Sequence, residues 1–152
     1  MFQYRSLLST TKRKASKDRK GYVLIVDDDV AMRTILVSVL SKDFVVEAKR
    51  NGMEAMLWLS EGNVPDVIVS DIVMPQLNGY DFIRTLRQSD LHATIPVLLL
   101  SGHTAEDVEE ESLRIGANSY LSKPFDPRII LDFALKACLR PSFAKASSYT
   151  YN

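Results

Sequence analysis

Beyond residue 20 the chain alternates short, continuous apolar runs with longer stretches whose apolar positions recur every three or four residues. The first pattern is that of buried strands and the second that of helices lying on them, with Gly, Asn, Asp or Pro marking the joins. Strands are expected at 22–26, 44–48, 67–70, 95–100 and 118–121. The first helix is the clearest: Met32, Ile35, Leu36, Val39 and Leu40 form one stripe behind Asp29 as N-cap. Asn51-Gly52 opens a second helix to about residue 60, which Gly62 is placed to end, and a third follows Gly79 to about residue 88. A fourth, near 105–115, has only Val108 and Ile115 as its apolar stripe and carries Glu106, Asp107, Glu109, Glu110 and Glu111 on an acidic face. The fifth begins with Asp126 as cap and Pro127 in the first turn, buries Leu131, Ala134, Leu135 and Cys138, and stops before Pro141.

Five strands alternating with five helices predict an α/β fold, a doubly wound five-stranded parallel sheet with helices on both faces and right-handed crossovers. In such a sheet the ligand crevice lies beyond the carboxyl ends of the strands, where the strand order reverses. Chemistry is therefore to be sought at strand ends.

Composition narrows this picture. With 152 residues, 46% of them apolar and 25% charged, the chain is sized for one globular domain. The formal charge of zero conceals a split, because residues 1–20 hold seven Lys or Arg against Asp18 alone. We expect a basic flexible leader over 1–20, a domain over 21–140 and a polar C-terminal tail over 141–152. The leader has no aromatic stacking pattern, so nucleic-acid binding is not expected of it. No segment approaches the ~20 apolar residues that span a bilayer, so a cytoplasmic protein without membrane insertion is expected. Cys138 is the only cysteine, which excludes an internal disulfide, and His92 and His103 lack metal-ligand spacing.

VLIVDDDV, at 23–30, sets three carboxylates directly behind a strand. Two unit charges about 4 Å apart repel by roughly 4 kcal/mol at an effective dielectric near 20, so something must offset the crowding. Capping a helix accounts for Asp29 alone. Asp71 follows the third strand, Ser101 the fourth and Lys123 the fifth. With strand order 2-1-3-4-5 the first and third strands are neighbours, and Asp27, Asp28 and Asp71 share one pocket. Carboxylates that hold Mg2+, an ammonium that meets phosphoryl oxygens and a carboxylate that attacks phosphorus together suit phosphoryl transfer. Asp71 is the natural nucleophile, since it stands apart from the doublet.

The combination of VDD at 26–28, SDIVMPQLNGYDF at 70–82, LLLSG at 98–102 and SYLSKPF at 119–125 resembles the receiver domain of two-component response regulators, over about residues 21–140. The resemblance implies a flavodoxin-like sheet and a single receiver like the chemotaxis regulators. It implies Asp71 as phospho-acceptor and Mg2+ (or Mn2+) bound by Asp28, Asp71 and the backbone carbonyl of Val73, with Asp27 acting through a metal-bound water. Lys123 would contact the phosphoryl group ahead of a cis Pro124, and Ser101 and Tyr120 would be the switch pair. Val73 and His103 occupy the positions that tune the lifetime of the phosphorylated state in that family. Gly102 departs from the Ala frequent there.

The expected function is thus a phosphorylation-activated signalling module, not an enzyme acting on other substrates. It would receive phosphate from a sensor histidine kinase or phosphotransfer protein and signal to a downstream protein through the surface of the fourth helix, fifth strand and fifth helix. The alternative is a phosphohydrolase resembling the haloacid dehalogenases, with Asp27 as nucleophile and Asp29 two residues on. Ala31 stands where that family usually has Thr or Val, and no cap insertion is evident.

Overall fold

The computed structural model describes residues 20–102, 106–139 and 149–150. The strands are β1 (Gly21–Val26), β2 (Phe44–Lys49), β3 (Val67–Asp71), β4 (Val97–Ser101), β5 (Ser119–Ser122) and β6 (Tyr149–Thr150). The helices are α1 (Val30–Leu40), α2 (Gly52–Ser60), α3 (Gly79–Gln88), α4 (Glu106–Arg114) and α5 (Pro127–Leu139). Every strand pair is parallel and the sheet order is β2-β1-β3-β4-β5-β6, the expected doubly wound arrangement extended by one short strand. The expectation of a polar tail did not foresee β6, which pairs Tyr149 with Ser119 and Thr150 with Tyr120.

Alternation along the strands builds two cores. Val23, Ile25, Val67, Val69, Leu98 and Leu100 point to the face covered by α1 and α5. Leu24, Val26, Ile68, Val97 and Leu99 point to the face covered by α2, α3 and α4. Both faces of β1, β3 and β4 are therefore dry, which is why those strands read as unbroken apolar runs. On the second face Tyr22 stacks on Trp58, ring centroids 5.6 Å apart, joining β1 to α2.

Three caps are where the sequence reading opens helices, at Asp29, Asn51 and Asp126, and Asn78 is a fourth that it did not name. The Asp29 carboxylate accepts from the amides of Ala31 and Met32, and Asn51 accepts from Glu54. Asn78 accepts from Asp81, and Asp126 from Arg128. Gly62 closes α2 at φ +94°, a conformation costly for residues bearing a Cβ.

Three residues assigned to buried stripes lie elsewhere. Ile35 is 46% exposed and Leu135 39%, and Cys138 is exposed as well. A helix laid on a sheet buries a narrower stripe than every apolar position at helical spacing; in α5 that stripe is Ile130, Phe133, Ala134 and Ala137. The Cys138 thiol still faces Gly21, and burial followed by the Asp66 charge raises its pKa to about 11. No described helix is long and apolar enough to cross a membrane.

Candidate functional site

The carboxyl ends of β1, β3 and β5 bring Asp27, Asp28, Asp71 and Lys123 together. Carboxylate oxygens of the three aspartates all lie within 4.8 Å of one another. Asp27 and Asp71 are buried, and Asp28 is exposed. Lys123 Nζ donates to Asp71 Oδ2 at 2.9 Å and stands 3.6 Å from Asp27 Oδ2.

Local hydrogen bonds hold each carboxylate in place. At the end of β1, the Asp27 amide donates to the Lys49 carbonyl at 3.1 Å, and Asp27 Oδ1 accepts from the Asp29 amide at 2.9 Å. Asp27 Oδ2 is buried and has no hydrogen-bond partner. Burial, reinforced by the Asp71 and Asp28 charges, raises the Asp27 pKa against the opposing Asp29 amide and Lys123 ammonium. Burial opposes the charge on Lys123 too, but the hydrogen bond to Asp71 and the neighbouring carboxylates leave its pKa raised. Lys123 therefore remains an ammonium at neutral pH and is the counter-charge of the pocket.

Asp71 is fixed through the chain on either side of it. The next residue, Ile72, donates its amide to the Leu100 carbonyl at 3.0 Å. The Gly79 amide closes the following loop onto the Ile72 carbonyl at 2.8 Å. A Cβ on Gly79 would overlap the Asp71 carbonyl and come within 2.8 Å of Ile72 Cα, so only glycine lets α3 start this close to the strand end. Lys123 is placed by its amide, which donates to the Ser101 carbonyl at 2.6 Å, and the Lys123–Pro124 peptide is cis.

Three of the other expected site residues are among those described. Ser101 is buried at the end of β4, beside Ser122 in register. Tyr120 is buried on the face covered by α2, α3 and α4, three residues before Lys123. Val73 is 63% exposed two residues past Asp71. His103 lies outside the described residues. Sequence reading missed Arg33, whose Nη1 donates to the Asp27 carbonyl at 2.7 Å. An arginine in the first helical turn is a weak signal, since it opposes the helix dipole and so calls for a local partner.

Three oxygen donors with no nitrogen or sulfur suit a hard divalent cation. Asp27 Oδ2 fits that reading, because it accepts no hydrogen bond and the Lys123 ammonium 3.6 Å away is shared with Asp71, so the buried acids can take further positive charge.

Comparison with known proteins agrees with this geometry. The model of the response regulator receiver domain matches residues 23–134, and the chain belongs to that family. It is 34% identical over 118 residues to an uncharacterized 14.6 kDa protein of Leptolyngbya boryana, covering 77% of this chain and 89% of that one. It is 35% identical over 107 residues to response regulator Rre1 of Synechocystis, covering 69% of this chain but only 46% of Rre1. Among solved structures, the chemotaxis response regulator CheY4 of Vibrio cholerae superposes with a TM-score of 0.72 at 30% identity, over 78% of this chain and 99% of CheY4. A putative response regulator from Chloroflexus aurantiacus gives 0.75 at 30% identity, over 80% of this chain and all of its own. Receiver domains are signalling modules that work with histidine kinases or phosphotransfer proteins.

Proposed function

We propose that this receiver is switched by phosphorylation of Asp71, with Mg2+ held by Asp28, Asp71 and the backbone carbonyl of Val73 and with Asp27 acting through metal-bound water. The observation that carries the reading is the convergence of three carboxylates, two of them beside Lys123 and one with a buried oxygen lacking a hydrogen bond. Bound Mg2+ would supply charge neutralisation for the acid cluster and for the incoming phosphoryl group. Lys123 engages one oxygen of Asp71, and the carboxylate attacks phosphorus in line as the bond to the donor's leaving group breaks. The Lys123 ammonium then offsets charge on the phosphoryl oxygens.

Ser101 and Tyr120 form the switch in this reading. The Ser101 hydroxyl donates to the phosphoryl group, the following loop moves with it, and the position of Tyr120 is biased through the neighbouring strand. Leu99 and Tyr120 are paired in register, so β4 and β5 shift together. A phosphoryl group shifts this equilibrium only by what it contacts differently in the two states. Output passes through α4, β5 and α5 to a downstream protein, the phosphoryl group comes from a histidine kinase or phosphotransfer protein, and residues 1–20 are a leader outside the module. The chain spans less than half of Rre1, so any output specific to the longer regulators is not implied here.

Treatment with acetyl phosphate and Mg2+ tests the site. Acid-labile phosphate should appear on Asp71 and be abolished in Asp71→Asn. Labelling that survives in Asp71→Asn and vanishes in Asp27→Asn would favour the haloacid-dehalogenase-like alternative.

A further inference from the structure

Arg33 stands in the first turn of α1, where a cation meets the unfavourable end of the helix dipole and no acidic residue shares that turn. Its guanidinium reaches back across the cap and donates to the Asp27 carbonyl at 2.7 Å. It pairs with no carboxylate among the described residues, although Asp27, Asp28 and Asp29 are all close in sequence.

The choice of acceptor has a chemical consequence. Asp27 is held at four points: its amide on Lys49, its Oδ1 by the Asp29 amide, its carbonyl by Arg33 and its Oδ2 near Lys123. Asp29 is committed to capping α1. Of the three, Asp28 alone makes no side-chain hydrogen bond among the described residues, and one of its oxygens lies within the 4.8 Å cluster. A guanidinium bridged to Asp28 would occupy the oxygens a cation needs. Bound to the carbonyl of the peptide joining Asp27 to Asp28, it adds positive charge beside the three acids and fixes that peptide while leaving the ligand oxygens open.

We propose that Arg33 is a positioning residue for divalent-cation binding, a backbone tether that holds the Asp27-Asp28 peptide so that both carboxylates face Asp71. This rests on the receiver-site reading above. Groups that orient metal ligands in this indirect way typically contribute roughly ten- to a hundredfold to affinity.

Mn2+ binding to the full chain, followed by the electron paramagnetic resonance signal of free Mn2+, tests the tether alongside amide exchange of the metal-free protein. Arg33→Met should weaken Mn2+ binding by roughly tenfold. It should also speed exchange of the Asp29 amide, whose acceptor is Asp27 Oδ1, while β3 and β4 amides remain protected. Arg33→Lys, which keeps the charge and a donor, should recover most of the affinity. Affinity in Arg33→Met equal to wild type overturns the tether, and so does a loss accompanied by faster exchange throughout the sheet, which marks a merely structural role. Wild-type protein that binds no Mn2+ overturns the receiver-site reading itself, and the tether with it.

Discussion

Arg87, at the edge of the sheet where the strands begin, donates to the carbonyls of Gly116, Ala93 and Ile95 and to Asn118 Oδ1. Asp27, at the edge where the strands end, keeps a buried oxygen with no hydrogen bond. Each is a partly or fully buried charge, yet one is surrounded by neutral acceptors that satisfy it, and the other sits beside two further carboxylates with a single ammonium 3.6 Å from its unbonded oxygen. Burial draws the Arg87 pKa down, but its acceptors bind α3 to the segments entering β4 and β5. Nearby, His92 also has its partners: Nε2 donates to the Asn63 carbonyl at 3.0 Å, and Nδ1 lies 3.0 Å from the Ser89 hydroxyl. The strand-entry edge is thus closed by polar groups that have their partners. The strand-exit edge gathers like charges that a divalent cation would relieve.

Removing the satisfied cation should have the largest effect on stability. Arg87→Met leaves several buried carbonyls without donors, and a loss of roughly 3 to 4 kcal/mol is expected. Denaturant unfolding measures it, and Mg2+-dependent labelling of the folded fraction should be unchanged. A loss below about 1 kcal/mol, the scale of an ordinary substitution, would show that Arg87 is not a structural clamp.

At the other edge the sign reverses. Asp27→Asn removes a strained charge, so the metal-free protein should become more stable by about 1 to 3 kcal/mol. Its stabilisation by Mg2+ should shrink at the same time. Because the native pKa of Asp27 is raised above 3.8, the folded state holds this proton more tightly than the unfolded state does. Wild-type stability relative to Asp27→Asn therefore falls as pH rises through the native pKa. The gap between the two proteins is full above that value and closes as pH drops below the ordinary carboxylate range. Thermal unfolding in chelator across pH 4 to 8 would read this, and a variant less stable than wild type at pH 7 would mean that the acid cluster is not strained.

The two edges also differed in how far the sequence disclosed them. Asp27, Asp28, Asp71, Ser101 and Lys123 were legible because each directly follows an apolar strand run, and parallel strands bring such positions to one edge. Arg87 and His92 gave no signal, since most of their partners are backbone carbonyls that any sequence supplies. Arg33 was hidden for the same reason. Strand β4 was expected from Ile95, but it begins at Val97; Ile95 is buried as a side chain while the backbone around Pro96 is outside the strand. The exposure of Ile35 and Leu135 depends on how each helix lies on the twisted sheet, which helical spacing alone does not encode. The short β6 has no apolar run to announce it.

The smallest expected effect concerns how long a phosphorylated Asp71 would persist. Hydrolysis requires a water aligned opposite the Asp71 oxygen on phosphorus, and positioning dominates the barrier to this class of transfer. Val73 is 63% exposed two residues past Asp71, and its branched hydrocarbon side chain can neither donate to that water nor accept from it. The aspartyl phosphate should therefore decay slowly for a receiver, and Val73→Asn or Val73→Asp should shorten its life several-fold by supplying a hydrogen-bonding group there. The measurement is first-order loss of acid-labile phosphate in excess Mg2+ after removal of the donor, with His103→Ala alongside. An unchanged rate in Val73→Asn together with a several-fold slower rate in His103→Ala would transfer the timing role to His103. Faster decay in Val73→Asn with His103→Ala unchanged would place it at the exposed apolar position, where side-chain chemistry can be altered without replacing any of the clustered carboxylates.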